Sequence, residues 1–312
     1  MTNTTKNDFF FNPVTLEAYT SNLMAKNFVT PRFLNKKLID TPTVLNYRRD
    51  GEENGKLLDE VERKVRPVTE GTELTEVRGT VKIGETKTLQ RYGMKLVVTN
   101  ELLKNPAFTL QDEINNMSLS LARIVEKETI KTLKAEAGAP QSKKIKGKWT
   151  NDGTTLDTIQ RDIVEMQSAF DDSDFNNELN TLFYNKAQFN EIKKDVNYEV
   201  SNYNVDAEEG YNVTIPNRPL DFVDALHYKC KYLDAGEALG WDGSMPPATI
   251  YYNRESGLGT PSFYNGLADF APFVSTYVKD EPGVVPYKEI QMAVSFGVVV
   301  NKPGALLYQK GL

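Results

Sequence analysis

The sequence predicts an α+β fold, on three observations. A long amphipathic helix fills 110–137, strands of alternating polarity precede it, and the chain closes on a long alternating strand over 290–300. In the helix, Leu110, Ile114, Met117, Leu121 and Ile124 recur at three- and four-residue spacing, one face of an α-helix. Thr109, with Asp112 three residues on, approximates a capping box, and Gly138 and Pro140 supply the stop. The 28 residues span about 42 Å at helical rise. Arg123, Glu126, Lys127, Lys131 and Lys134 cover much of the remaining surface. A helix with one apolar stripe and a charged flank reads as a strut under a sheet.

The other elements follow in order. Residues 1–45 form an arm. Within it, 14–27 reads as a helix with a short stripe at Leu16, Tyr19 and Leu23, and the stretch beyond is extended because Pro31 and Pro42 restrict their predecessors. An arm with so few apolar residues has to lie on something else. Residues 76–83 alternate cleanly and 61–68 less so, around a turn at 69–72, which makes a charged hairpin within 46–92. A two-stranded hairpin alone is marginal in water, so it suits an intersubunit contact arm, and charges of both signs suit specific pairing. Residues 87–103 return as a strand into the long helix. The lysine-rich connector 141–149 and the turn at 151–153 open a second lobe. There, Thr154 and Asp157 cap a helix whose buried stripe is Leu156, Ile159, Ile163, Met166 and Phe170. Strands are expected at 180–184, 227–233 and 249–252, a helix at 186–195, loops at 196–217 and turns through 236–247. After the 290–300 strand, a turn at 301–304 leads to a last short strand at 305–308.

Composition bounds the class. The 312 residues suffice for two or three lobes with a core, and 39% hydrophobic with 26% charged residues fits a folded chain. Mean hydropathy is −0.48. No apolar run approaches the ~18 residues of a membrane helix. The N-terminus lacks a signal-peptide pattern, and the single cysteine, Cys230, cannot form an internal disulfide, so an intracellular origin is expected. A net charge of −6 argues against a dedicated nucleic-acid binder, though a surface may still face nucleic acid.

Chemistry is sparse. His227 is the only histidine, so nucleophilic catalysis would need it to pair with Cys230; three residues apart on a strand, the two face opposite sides. A zinc site would need about four ligands, which are lacking. The 51–56 stretch has glycines and a lysine at the wrong spacing for a phosphate loop, and 257–259 lacks the third glycine of a dinucleotide fingerprint. Asp172, Asp174 and Asn176 begin like a calcium loop, but Asn177 replaces the glycine and Phe183 the bidentate glutamate. The adjacent carboxylates Glu52-Glu53, Asp171-Asp172 and Glu208-Glu209 lie in polar surroundings that would not tune an acid. Asn3, Asn116 and Asn212 begin formal glycosylation sequons without a secretory signal. Lys143, Lys144, Lys146 and Lys148 read as a solvated connector. No catalytic, cofactor-binding or metal-ligating residue is assigned, and no enzyme is expected.

The run Arg91-Tyr92-Gly93-Met94-Lys95-Leu96-Val97-Val98-Thr99-Asn100-Glu101-Leu102-Leu103, leading into the helix of 109–137, resembles the major capsid proteins of tailed bacteriophages, the Hong Kong 97 fold. Those proteins have a similar strand, a Ser/Thr-x-Glu-Leu-Leu turn and then a spine helix. The resemblance implies an N-terminal arm (1–45), an extended E-loop hairpin (46–92), a P domain (93–142, spine helix 109–137), an A domain (143–286) and C-terminal strands rejoining the P domain (287–312). It implies self-assembly through hexamers and pentamers into an icosahedral shell around double-stranded DNA, with arm and E-loop lying across neighbours. The expected partners are other copies, a portal, a decoration protein, and packaged DNA through non-specific contact, with no membrane and no cofactor. The expected location is the virion, after assembly in the host cytoplasm. No long charged leader precedes the arm, so either the chain is a processed form beginning with an added Met or, the favoured reading, scaffolding is a separate protein. Some relatives cross-link lysine to asparagine between subunits, but no residue-level motif places that here. An encapsulin, the nanocompartment shell of the same fold that encloses a cargo enzyme, is the alternative.

Overall fold

The computed structural model describes residues 10–39, 43–49, 81–104, 109–139, 141–142, 145, 149, 155–171, 178–195, 220–253, 274–281 and 287–312. The expected strand at 61–68 and its turn, the glycine stretches 51–56 and 257–259, the turn at 151–153, the connector lysines, the acidic loop 172–177, the loops of 196–217, Asn3 and Glu52-Glu53 lie outside the described residues.

In chain order the elements are α1 (Pro13–Asn27), a 3-10 turn (Thr30–Phe33), β1 (Asn35–Leu38), β2 (Thr43–Arg49), β3 (Val81–Thr88), β4 (Gln90–Thr99), α2 (Asn100–Lys104), α3 (Leu110–Glu136), α4 (Leu156–Asp171), β5 (Thr181–Tyr184), α5 (Lys186–Asp195), β6 (Leu220–Phe222), β7 (Ala225–Lys229), β8 (Glu237–Trp241), β9 (Ala248–Asn253), β10 (Ser275–Glu281), β11 (Tyr287–Val300), a second 3-10 turn (Pro303–Ala305) and β12 (Leu307–Lys310). The chain divides into two compact units. The first comprises Met1–Asn46, Glu85–Thr129 and Thr249–Val299; the second comprises Tyr47–Gly84, Ile130–Ala248 and Val300–Leu312. Strands β2 and β3 make a two-stranded sheet.

The first unit is built on β11. This strand pairs antiparallel with β10 and, over ten successive residues from Tyr287↔Thr99 to Phe296↔Gln90, with β4; β9 and then β1 extend the sheet. Ile290, Met292, Val294, Phe296 and Val298 are buried while the residues between them are half-buried, the period-two pattern of the sequence. Thr99 ends β4 and accepts the Leu102 amide on its Oγ1 at 3.2 Å, which opens α2.

Helix α3 buries Leu110, Ile114, Met117 and Leu121 as expected, then departs from the predicted stripe. Val125 is buried and Ile124 only half-buried. A straight helix of 3.6 residues per turn drifts away from a strict seven-residue repeat, so the stripe moves on by one position. Helix α1 departs similarly. Its buried face is Leu16, Thr20 and Met24, with Glu17 and Ser21 alongside, in place of Leu16, Tyr19 and Leu23. Thr20 is tolerated there because its hydroxyl donates to the Leu16 carbonyl at 2.9 Å.

The second unit has the sheet β12-β8-β5-β7-β6. One core gathers Leu182, Tyr184, Ala225, Ala238 and Leu307 from its strands, Ile159, Ile163, Met166 and Phe170 from α4, Phe189 and Ile192 from α5, and Trp149. On the other side of β5, Phe183 stacks on Tyr228 at 5.3 Å and on Trp241 at 4.7 Å. The cap of α4 is Thr155, one residue beyond the predicted Thr154: its carbonyl accepts the Thr158 and Ile159 amides at 3.0 and 3.2 Å.

Two glycines read as punctuation serve packing. Strand β8 occupies the stretch expected to be turns, and a Cβ on Gly240 would lie 2.6 Å from Leu182 Cδ2 and 2.7 Å from Leu179 Cδ1. Gly138 does not take a left-handed conformation; its amide donates to the Pro303 carbonyl at 2.8 Å, and a Cβ there would lie 3.2 Å from Pro303. The terminal strand, grouped in sequence with 290–300, pairs instead with β8 of the second sheet.

The corrected helix face is testable by urea unfolding of the isolated subunit. Leu121→Ala should cost about 2–5 kcal/mol. Ile124→Ala should cost distinctly less. Equal losses would restore the original stripe.

Candidate functional site

Among the described residues no group of three or more His, Cys, Asp or Glu side chains could hold a metal ion, and no helix is long and apolar enough to cross a membrane. His227 and Cys230 make no dyad. The imidazole is buried, stacks on Tyr184 at 5.5 Å and bonds the Phe222 carbonyl through Nε2 at 2.7 Å, whereas the Cys230 amide donates to the Tyr184 carbonyl at 2.7 Å. Burial lowers the His227 pKa to about 4. What the molecule offers instead are surfaces on which chain segments dock.

In the first unit, the arm is fastened at four points. Phe11 lies under the Lys288 ammonium at 4.3 Å, and that ammonium also pairs with Asp280 at 3.3 Å. The Pro13 carbonyl accepts the Thr276 hydroxyl at 2.7 Å. Tyr19 Oη donates to Asn115 Oδ1 at 2.8 Å. The amides of Val29 and Thr30 donate to Glu126 Oε2 and Oε1 at 3.0 and 2.9 Å. Because Tyr19 meets Asn115 and Thr30 meets Glu126, arm and α3 run in the same direction.

Glu126 corrects the sequence reading, which placed it on the charged flank. Its residue is only 6% exposed, and burial raises its pKa against the opposing pull of the Thr30 and Val29 amides. The Thr30 hydroxyl also favours the ionised form but has no partner in hydrogen-bond geometry among the described residues. Glu126 lies on the face that also buries Ala122 and Thr129, four residues before and three after it, which the residue types alone did not signal.

The open face of the same sheet carries Lys95 bonded to Glu289 at 3.2 Å, with Gln291 on the other carboxylate oxygen. The register brings Lys95, Gln291 and Tyr277 into one row and Val97, Glu289 and Lys279 into the next. Val97 and Tyr277 are 43% and 50% exposed, so this face mixes charge with apolar surface.

In the second unit, Lys134 also leaves the free flank. It bridges Asp234 at 3.1 Å and Glu237 at 2.5 Å, and Glu237 accepts Tyr308 Oη on its other oxygen. Burial and then Glu237 push Tyr308 up to about 12. Burial opposes the Lys134 charge, but the two carboxylates outweigh it and raise its pKa. Asp242 accepts the amide and hydroxyl of Ser244 at 2.8 and 2.7 Å and the Asn180 amide group at 3.2 Å. The sequence singled out none of these polar anchors.

The β6–β7 turn is strained. Val223 and Asp224 have φ of 51° and 55° between Phe222 and Ala225, which pair across the hairpin. Two positive φ values in a two-residue loop suit glycine, asparagine and aspartate, so the β-branched Val223 is the costly member, at on the order of 1–3 kcal/mol. Gln167 Nε2 donates to the Val223 carbonyl at 2.9 Å and helps hold the turn.

No protein-family model matches the sequence, and no curated protein matches it at a significant level. Solved structures do match. A virus-like particle from Pyrococcus furiosus superposes with a TM-score of 0.56 at 9% identity, over 95% of this chain and 98% of that one. The capsid of Cyanophage P-SCSP1u gives 0.57 at 8%, over 90% and 86%. The holo-SrpI encapsulin complex from Synechococcus elongatus gives 0.50 at 9%, over 89% and 85%. The chain therefore has the Hong Kong 97 capsid fold that the 91–137 stretch suggested.

The Glu126 clasp gives a direct prediction. Glu126→Gln presents an NH2 donor to one of the two arm amides, which loses its acceptor at about 1–3 kcal/mol. Limited proteolysis of the unassembled subunit should then cleave the arm ahead of Val29 faster than in the wild type. Equal cleavage rates would mean that the carboxylate does not hold the arm.

Proposed function

We propose that this chain is the major capsid protein of a tailed bacteriophage, self-assembling into an icosahedral shell around double-stranded DNA. The observation that carries the reading is the fold shared over nine-tenths of the chain with a cyanophage capsid and a virus-like particle. The role is structural. The charged E-loop segment at 46–92 gains its burial from neighbouring copies, so its marginal stability becomes stability of the lattice, while the arm, already buried on its own unit at Leu16, Met24 and Phe28, lies across neighbours from there. The arm (1–45), E-loop (46–92), P domain (93–142, rejoined by β11 of the 287–312 segment) and A domain (143–286, with β12 of that segment on its sheet) are the functional divisions on this reading. A separate scaffolding protein, a portal and a decoration protein are its further partners, with assembly in the host cytoplasm. The net charge of −6 suits a wall that contains DNA without gripping it.

The encapsulin neighbour favours a second reading, a closed compartment around a cargo enzyme. Light scattering of the purified protein at micromolar concentration should give particles; a monomer or dimer would count against both shells. Electron microscopy of native particles then separates them. DNA content and a portal vertex are expected. Small closed shells holding protein and no nucleic acid would overturn the phage reading in favour of the encapsulin.

A further inference from the structure

The β6–β7 hairpin combines two features that the shell role leaves unused. Its turn is closed by two successive left-handed residues, Val223 and Asp224, neither of them glycine. Its last cross-strand pair before the sheet continues, Leu220↔His227, places the only histidine of the chain in a fully buried position. The imidazole is bonded to the Phe222 carbonyl, and a carbonyl can only accept, so Nε2 carries the proton of the neutral ring. Nδ1 is then a buried acceptor, and it has no partner among the described residues.

We propose that the β6–β7 hairpin is an acid-released sheet edge: neutral His227 holds a strained turn closed, and protonation at Nδ1 opens it. A proton on Nδ1 would put a charge into the core beside the Tyr184 ring with no acceptor for the new N–H. Asp221 on β6 is the one charged group acting on the ring among the described residues, and Tyr184 on β5 is the one titratable side chain stacked on it. Tyr184 stays neutral, because burial raises its pKa well above the ordinary value. Tyr184 supplies no countercharge, and the pull of Asp221 offsets only part of the cost of the buried charge, which burial outweighs. Opening relieves the left-handed pair and frees the β7 backbone, which β6 otherwise covers. The device belongs to the subunit and does not depend on which shell it builds.

The sign follows from linkage. The unfolded ring titrates near 6.5 and the buried one near 4, so the open state binds more protons between those values. Closure is fully favoured above pH 6.5 and lost progressively as pH falls towards 4.

Hydrogen exchange of the full chain, read as protection factors for 220–229 at pH 7.5 and 4.5, tests this. Protection should fall roughly 70-fold while the α4 amides keep theirs. His227→Gln retains an N–H for the Phe222 carbonyl and cannot titrate, so its hairpin protection should be flat with pH. An unchanged pH dependence in that variant, or none in the wild type, overturns the proposal. If His227→Gln does not fold, deuterium exchange at the C2 hydrogen of the lone wild-type histidine decides: a midpoint near pH 4 supports the clasp and one near 6.5 overturns it. Val223→Asn with Asp224→Gly relieves the turn and should raise hairpin protection at pH 4.5; no gain would remove strain from the device.

Discussion

The buried carboxylate of Glu126 sets where the arm lies. Three buried hydroxyls of α1 and α3 settle their need within their own helix: Thr20 donates to Leu16, Ser118 to Ile114 and Thr129 to Val125, each to the carbonyl four residues back. A carboxylate cannot do this, because it only accepts and helical amides are already spent. Its two oxygens therefore have to find donors elsewhere, and they find the Val29 and Thr30 amides, which lie just past the last turn of α1. Apolar contacts at Leu16, Met24 and Phe28 supply burial but tolerate sliding. The two amide bonds do not, so register is fixed by hydrogen bonding and area by the hydrophobic residues.

The spine helix, the β11 strand and the α4 stripe were legible because each is long and each repeats its period several times. Ile159, Ile163, Met166 and Phe170 are buried as spaced, and so are the alternate residues of β11. What sequence missed is short or polar. Strand β8 holds five residues, and its Gly240 looked like a turn although it is the place where two leucines crowd the backbone. Strand β6 holds three residues, too few to show a period. The polar anchors failed differently. Glu126 and Lys134 carry the same residue types as the solvated flank beside them, and only their tertiary partners distinguish them. A helical wheel records chemistry and angle, not what lies opposite.

That division also explains how a fold persists at 8–9% identity with a virus-like particle and a cyanophage capsid. Helix length, strand alternation and core volume constrain composition at each position but not identity, since many hydrophobic side chains of similar size fill a core. The fold depends on the periodic features, and those are what one chain shows. The anchors are particular solutions: Glu126 against two amides, or Lys134 between Asp234 and Glu237, can each be replaced by another arrangement of satisfied groups. They carry the individuality of this chain, and their readout is in how its segments dock.

Among the described residues, Glu126 and the Val223–Asp224 pair each carry a cost within a well-defined geometry. Leucine at position 126 would avoid burying a charge but would strand the Val29 and Thr30 amides, whereas asparagine–glycine at 223–224 would close the β6–β7 turn without strain. One site holds the arm and the other a sheet edge. On the capsid reading proposed above, segments bound too well to their own unit would be unavailable to neighbours. Buried charge and backbone strain each lower the cost of release while leaving the docked geometry well defined, because the hydrogen bonds that remain are directional. On that reading, the few kilocalories that weaken the isolated subunit set how readily its parts are handed to another copy.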